Sequence, residues 1–443
     1  MARVLALVDG EHYPSTTRWA LATARALGHE VVACVMVGGS EKIGPNGIDL
    51  GPVPVETVGD LLEGVRDAVR RHRPEALLDL SDEPVLGYRE RALTASAALA
   101  EGVRYLGPDF SLEPPISGPP LDAPTLAVIG TGKRTGKTAV AGQAARATAA
   151  NGFRPVLVAM GRGGPPGPQV VEAGSMDLAR LRELVEAGHH AASDYLEDAV
   201  TTGVTTVGAR RAGGGLSGLP YVTNVREAGQ EAVRLGAGLV ILEGSGASIP
   251  PVPWDAGVLV CSARTPPEYL GGYLGPLRVL LTDLAVFTMG GGPDVGPKDL
   301  SVLTSHVHRL HPDARIVVTD FRPVPLGDVE GREVYFTTTA PESVGPSLVS
   351  HLEETFGCEV VGTSHRLSER PGLEADLEAA PRFEVLLTEL KAAAVDVAAR
   401  RAADRGVEVV FVDNRAVTLE GDGPVEDLLV ETARLAVDRA SER

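Results

Sequence analysis

The chain has 443 residues, 44% of them apolar, and a formal charge of −18. That length is too great for one ordinary core, so two or three domains are expected. The acidic balance argues against nucleic acid or an anionic membrane surface as a partner, and there is no run of about 18 apolar residues to span a bilayer.

Residues 3 to 110 alternate strand and helix. Arg3–Val8 reads as a strand, closed by Asp9 too soon for a signal peptide, which makes the cytoplasm the simplest address. Residues 15–27 read as a helix with Ser15 as its N-cap, 30–37 as a strand, 57–72 as a helix, 76–80 as a strand and 87–101 as a helix. This alternation predicts a Rossmann-like parallel sheet covered on both faces. Its strand ends carry Asp9-Gly10-Glu11-His12, Gly38-Gly39-Ser40 and Ser81-Asp82-Glu83. They read as acidic turns and caps before they read as a ligand cradle. The proline-rich stretch 111–124 suits neither a helix nor an inner strand and reads as a linker, so the first domain is placed at 1–118.

A second domain, 119–325, opens on Thr125-Leu-Ala-Val-Ile-Gly-Thr-Gly-Lys-Arg-Thr-Gly-Lys-Thr138. An apolar strand runs into glycines and then into a helix that begins with Lys-Thr, which is the order of a P-loop. Backbone N–H groups must face phosphate oxygens without side chains in the way, and the helix adds the positive end of its dipole. Gly130, Thr131, Gly132, Lys133, Arg134, Thr135, Gly136, Lys137 and Thr138 are therefore the candidate ATP site. Lys137 is expected to reach the β- and γ-phosphates, and Thr138 to hold Mg²⁺. Only five lysines occur, and two of them, Lys133 and Lys137, fall in this loop.

The next strand, 154–159, ends in Met160-Gly-Arg-Gly-Gly-Pro-Pro166. Arg162 sits where packing calls for no charge and reads as a phosphate contact. In His189-His-Ala-Ala-Ser-Asp-Tyr-Leu-Glu-Asp198, helical spacing puts His190, Asp194 and Asp198 on one face. That face is either a polar surface stripe or an inward trio able to orient a proton or a metal-bound water. Arg210-Arg-Ala-Gly-Gly-Gly215 reads as a second anion site, because guanidinium forks suit phosphate and carboxylate groups. Gly238-Leu-Val-Ile-Leu-Glu243-Gly-Ser-Gly246 is a buried strand tipped by an acid, and Glu243 joins Thr138 as a candidate Mg²⁺ ligand. Further strands are expected at 258–261, 280–289 and 316–319, with a loop at 320–325 whose Phe321 would cover the nucleotide base.

From 326 to 443 a third strand–helix series follows: 333–338, 344–356, 359–363, a long helix 383–405, then 407–412 and 425–439. Lys391 and Arg366 read there as solvated charges more readily than as substrate contacts. Cys34, Cys261 and Cys358 have no metal-ligand or disulfide spacing and read as small buried residues. The fold class is thus α/β: a Rossmann-like domain, a P-loop NTPase domain and a C-terminal α/β extension packed on it.

Two spellings narrow the class. Gly130-Thr followed by four residues and Gly-Lys-Thr, with Glu243-Gly-Ser-Gly, is similar to dethiobiotin synthetase and its relatives. Met-Gly-Arg-Gly-Gly-Pro at 160–165, His-Ala-Ala-Ser-Asp-Tyr at 190–195, Arg-Arg-Ala-Gly-Gly-Gly at 210–215 and Glu-Leu-Lys-Ala-Ala at 389–393 are more specific. With them the chain resembles the cyclic 2,3-diphosphoglycerate synthetase family over nearly its full length. That resemblance implies closure of 2,3-diphosphoglycerate to a cyclic diphosphate, consuming ATP with Mg²⁺ and releasing ADP and phosphate. Lys133, Lys137 and Arg162 would be catalytic. Arg162, His190, Asp194, Arg210, Arg211 and Ser245 would bind the small anionic substrate, and a homodimer is expected. Two rivals stay open: a kinase acting on 2-phosphoglycerate or a related acid, and a nucleotide-dependent switch or metallochaperone.

Overall fold

The structure, a computed structural model, describes residues 2–43, 48–186, 193–391 and 394–443. Its described strands form two sheets. The first contains β1 (Arg3–Val8), β2 (Glu30–Met36), β3 (Val55–Thr57), β4 (Ala76–Asp79), β5 (Arg104–Leu106) and β6 (Ser111–Leu112) in the order β3-β2-β1-β4-β5-β6. All pairs are parallel except the edge strand β6. Helices α1 (Pro14–Ala26), α2 (Leu61–His72) and α3 (Tyr88–Ala100) connect them. Two helix starts differ from expectation. Tyr13, not Ser15, occupies the cap of α1, with Pro14 opening the first turn, where its fixed φ is suited. Helix α2 starts at Leu61, because residues 55–57 pair with β2 and Asp60 caps the helix by accepting from the Glu63 N–H at 2.9 Å.

The strand order reverses between β1 and β4, and that crevice is filled from within. The buried Asp9 carboxylate accepts from the backbone N–H of Glu11, His12 and Asp82 and lies 2.8 Å from His12 Nδ1. Asp79 likewise accepts from Tyr105 Oη and Ser81. These acids serve as turn and cap residues, and their acceptor capacity is largely taken up.

The second sheet runs unbroken from the P-loop into the C-terminal strands. Its members are β7 (Thr125–Gly130), β8 (Pro155–Gly161), β9 (Gln169–Val171), β10 (Thr206–Ala212), β11 (Val222–Thr223), β12 (Leu239–Glu243), β13 (Ala256–Ser262), β14 (Leu284–Thr288), β15 (Arg315–Pro325), β16 (Glu333–Thr337), β17 (Glu359–Ser364), β18 (Val385–Glu389) and β19 (Glu408–Gly421). The order is β11-β10-β8-β12-β7-β13-β14-β15-β19-β18-β16-β17, with β9 paired to β10. Strands β7, β8 and β12 are buried along their whole length, which is why they read as unbroken apolar runs.

The helices of this body are α4 (Lys137–Ala150), α5 (Leu178–Glu186), α6 (Asp194–Thr202), α7 (Val225–Arg234), α8 (Glu268–Gly271), α9 (Gly275–Leu280), α10 (Pro297–Leu310), α11 (Gly345–Phe356), α12 (Arg370–Ala379), α13 (Arg400–Asp404) and α14 (Val425–Ser441). Helix α14 returns from the C-terminal end to pack on α4 and β13. The P-loop helix is also fastened to β19. Gln143 of α4 donates to the Ala416 carbonyl at 3.0 Å and accepts from its N–H at 2.8 Å, and Arg146 pairs with Asp413 at 2.9 Å.

Two expectations fail in this sheet. Residues 320–325 are not a loop but the second half of β15, paired antiparallel with β19 from Val417 to Val412. Residues 383–405 are not one helix: they divide into β18, a π-helix at Ala394–Ala399 and α13. Every residue of β18 is buried, and an apolar run buried on both sides carries no period that separates strand from helix. Among the described residues no helix is long and apolar enough to cross a membrane. All three cysteines are buried and unpaired.

Candidate active site

The loop after β7 turns tightly because two residues take left-handed conformations, Arg134 at φ 58° and Gly136 at φ 86°. Gly136 also abuts the Phe321 ring so closely that a Cβ would collide with it. Lys137 opens α4 but folds back over the loop, donating to the Gly132 carbonyl at 2.6 Å and to Thr135 Oγ1 at 3.3 Å. The side chain is buried, and burial lowers its pKa to about 8. A Cβ on Gly130 would come within 2.8 Å of Lys137 Cδ, so that glycine leaves room for the lysine. Lys133 and Arg134 are exposed, and Lys133 Cγ would lie 3.7 Å from a Cβ on Gly246, in the loop after Glu243. Thr131 is tied to the sheet instead, its N–H donating to the Val260 carbonyl at 3.3 Å.

Beneath the loop, Thr138 Oγ1 donates to Glu243 Oε1 at 2.7 Å. Glu243 is buried, and its Oε2 has no hydrogen-bond partner among the described residues. Asp198, on α6, is fully buried with both oxygens in the same condition. Burial, then the charge of Asp194, pushes the Glu243 carboxyl up to about 8, and burial with the charge of Glu243 raises Asp198 as well. A buried carboxylate oxygen without a donor, next to a P-loop threonine, fits a divalent cation held by Thr138 and Glu243. Among the described residues no three His, Cys, Asp or Glu side chains are gathered around a common point. Such a cation would therefore take most of its oxygens from phosphate and water, as Mg²⁺ does.

Asp194, at the start of α6, feels the positive charges of Lys137, Lys391, Arg162 and Arg211. These four cations come from four separate segments: the start of α4, the stretch after β18, the loop after β8, and β10. Arg162 is exposed in the loop after β8. Arg210 and Arg211 lie within β10, not in a loop, and alternation sends them to opposite sides. Arg211 donates to the Ser245 carbonyl at 2.9 Å and to that of Gly213 at 2.6 Å. Arg210 turns away and donates to the Gly164 carbonyl at 2.7 Å. Ser245 is buried, its N–H donating to the Ser248 carbonyl at 3.3 Å. His190 lies outside the described residues.

Arg278 is missed by sequence reasoning, Glu389 enters it only as part of a motif, and Lys391 reads there more as a solvated charge than as a substrate contact. Arg278 is buried on α9 and donates to the Ala247 carbonyl at 2.7 Å, bracing the loop after Glu243. Lys391, expected as a solvated charge, instead pairs with Glu197 of α6 at 3.3 Å. Glu389, at the end of β18, is buried and accepts from Thr338 Oγ1 at 2.6 Å, Thr339 N–H at 3.1 Å, Thr339 Oγ1 at 2.7 Å and Asn414 Nδ2 at 3.0 Å. A charge inside an apolar stretch, as at Arg278 and Glu389, was the one available signal. Arg366 stays at the periphery, half-exposed and 3.6 Å from Asp376.

Comparison with known proteins gives matches along the chain. Models described as cyclic 2,3-diphosphoglycerate synthetase match with their N-terminal domain over residues 3–113, their P-loop domain over 125–320 and their C-terminal domain over 325–415. A Rubrobacter xylanophilus protein named cyclic 2,3-diphosphoglycerate synthetase is 49% identical, over 95% of this chain and 96% of that one. Proteins of the same name from Methanothermobacter thermautotrophicus and Methanothermus fervidus are each 40% identical. They cover 98% of this chain, and 96% and 98% of their own lengths respectively.

Proposed function

The chain belongs to the cyclic 2,3-diphosphoglycerate synthetase family, and from that premise we propose that it closes 2,3-diphosphoglycerate to its cyclic diphosphate with ATP and Mg²⁺. The observation that carries this reading is the P-loop lysine Lys137, folded over its own loop next to Thr138 and the buried Glu243, with the charges of Lys391, Arg162 and Arg211 also felt at Asp194. In a protein of net charge −18, that much positive charge around one acid suits a polyanion with several phosphates.

The loop 130–138 receives the triphosphate, and its amides and Lys137 hold the β- and γ-phosphates. Thr138 and Glu243 hold Mg²⁺, which when bound offsets negative charge on the phosphates. Arg162 and Arg211 bind the substrate's phosphates and carboxylate. An oxygen of one substrate phosphate attacks the γ-phosphorus, the bond to the β-phosphate oxygen breaks, and ADP leaves. The substrate now carries a phosphoanhydride. Its other phosphate attacks the inner phosphorus of that anhydride, inorganic phosphate leaves, and the ring closes. Lys133 and Lys137 oppose charge gathering on the transferred group, an effect of about 3 kcal/mol per well-placed donor.

The test measures ADP release with and without 2,3-diphosphoglycerate, and reads the product by phosphorus NMR. Anhydride resonances in a product with no free ester phosphate are expected. A chain that phosphorylates 2-phosphoglycerate and stops there would be a kinase. Hydrolysis indifferent to any small acid would place it with nucleotide switches. Lys137→Ala should lose turnover by about a hundred- to a thousandfold, the range of a lost transition-state donor, while keeping its circular dichroism spectrum.

A further inference from the structure

The C-terminal strands have their own crevice. In the order β17-β16-β18-β19, β16 leads outward to β17 through α11, whereas β18 leads the other way to β19. The chain therefore reverses direction between β16 and β18, and parallel sheets bind ligands outside the strand ends at such a point. Those two ends carry Thr338 and Thr339 on one side, Glu389 and Lys391 on the other. The crevice faces α6 of the P-loop body, where Lys391 meets Glu197.

Glu389 does not hold Lys391 by a hydrogen bond. Its two oxygens already accept four bonds, from Thr338, Thr339 twice and Asn414, which is the full capacity of a carboxylate. It remains a fixed negative charge next to the lysine. An ammonium has three donors, and Glu197 is the one partner the described residues give it. The side chain keeps a third of its surface accessible, and its charge reaches Asp194, as those of Lys137, Arg162 and Arg211 do. A π-helix begins at Ala394, a rare geometry that is frequent at functional sites.

We propose that Lys391 is a substrate-binding residue: the C-terminal strands deliver its ammonium into the P-loop cleft, where it contacts a phosphate of the phosphorylated acid. This rests on the reading of that cleft given above. Glu197 and Glu389 hold the lysine charged and extended until the phosphate arrives, and the phosphate takes up the two donors that Glu197 leaves.

The experiment uses the full chain loaded with ADP and Mg²⁺, with 2,3-diphosphoglycerate titrated calorimetrically, alongside steady-state kinetics. Lys391→Met should weaken 2,3-diphosphoglycerate binding at least tenfold and raise its KM, while nucleotide affinity stays within about twofold. Lys391→Arg should recover part of the loss. Glu197→Gln separates binding from a mere latch between the two bodies. If Lys391 binds substrate, E197Q costs much less affinity than K391M, since the introduced amide oxygen still accepts one ammonium donor and leaves two for the phosphate. If the pair is only a latch, E197Q and K391M fall together in affinity and melting temperature, and the proposal is overturned. It is also overturned if K391M binds 2,3-diphosphoglycerate as the parent does. Should the parent chain itself bind none, the proposed function fails and this inference falls with it; parent binding with an unaffected K391M removes the inference alone.

Discussion

At Gly136 two demands meet. Its φ of 86° lies where a side chain is strained, and the Phe321 ring sits against the hydrogen a Cβ would replace. A left-handed non-glycine residue costs on the order of 1–2 kcal/mol before any clash. Gly136→Ala should therefore lower stability by about 2 kcal/mol or more and weaken nucleotide binding. Adding Phe321→Ala should return part of the loss, because only the clash is relieved. No recovery in denaturant melts of the double variant would mean that Phe321 is not what confines the loop. The residue types of this loop were readable from spacing alone. The ring that closes over it was not, because Phe321 comes from a strand nearly two hundred residues away.

At the scale of elements, one joint fastens the P-loop body to the C-terminal strands and another network braces those strands themselves. Gln143 meets both the N–H and the carbonyl of Ala416. Gln143→Ala leaves a buried donor and acceptor unpaired, at about 1–3 kcal/mol for such groups. Urea melts should show a loss of about 2 kcal/mol, and a change under 0.5 kcal/mol would show that α4 and β19 are held by packing alone. Glu389 ties the C-terminal strands to one another, taking bonds from Thr338 and Thr339 beyond β16 and from Asn414 of β19. Burial opposes its charge, but Lys391 and the donors Thr338, Thr339 and Asn414 outweigh that and hold its carboxyl below the ordinary 4.5. A depressed acid contributes stability above its unfolded pKa and loses it as pH falls through the folded value. Glu389→Gln should accordingly be destabilised by about 2–3 kcal/mol at pH 7, with the gap to the parent closing below pH 4.5. A gap that stays constant from pH 7 to pH 4 would contradict an ionised Glu389. This element was misread in the sequence as helix, because Val385 to Leu387 give no period and Glu389 looks like the polar face of one.

For the whole molecule, buried carboxylates at Glu243 and Asp198 stand in an unbalanced cluster, so the fold should gain from a cation. Mg²⁺ with a non-hydrolysable ATP analogue at a hundred times its Kd should add about 2.7 kcal/mol by mass action, seen as a rise of several degrees in Tm. Removing Mg²⁺ with EDTA should abolish most of that rise in the parent. Glu243→Ala should show little Mg²⁺ dependence. Equal shifts with and without EDTA in the parent would place no metal there.

The chain's own order of residues determined the P-loop, the acid at the tip of β12 and the α/β alternation, because each depends on neighbours within a few positions: apolar period, glycine at a turn, Lys-Thr at a helix start. It could not determine which distant charges face each other. That Lys391 lies against Glu197, that Arg211 turns toward Ser245 while Arg210 turns away, and that β15 and β19 join two series into one sheet are decided by strand register and crossover. Those are set by the packing of whole layers, and a one-residue slip of β10 alone would exchange the faces of Arg210 and Arg211.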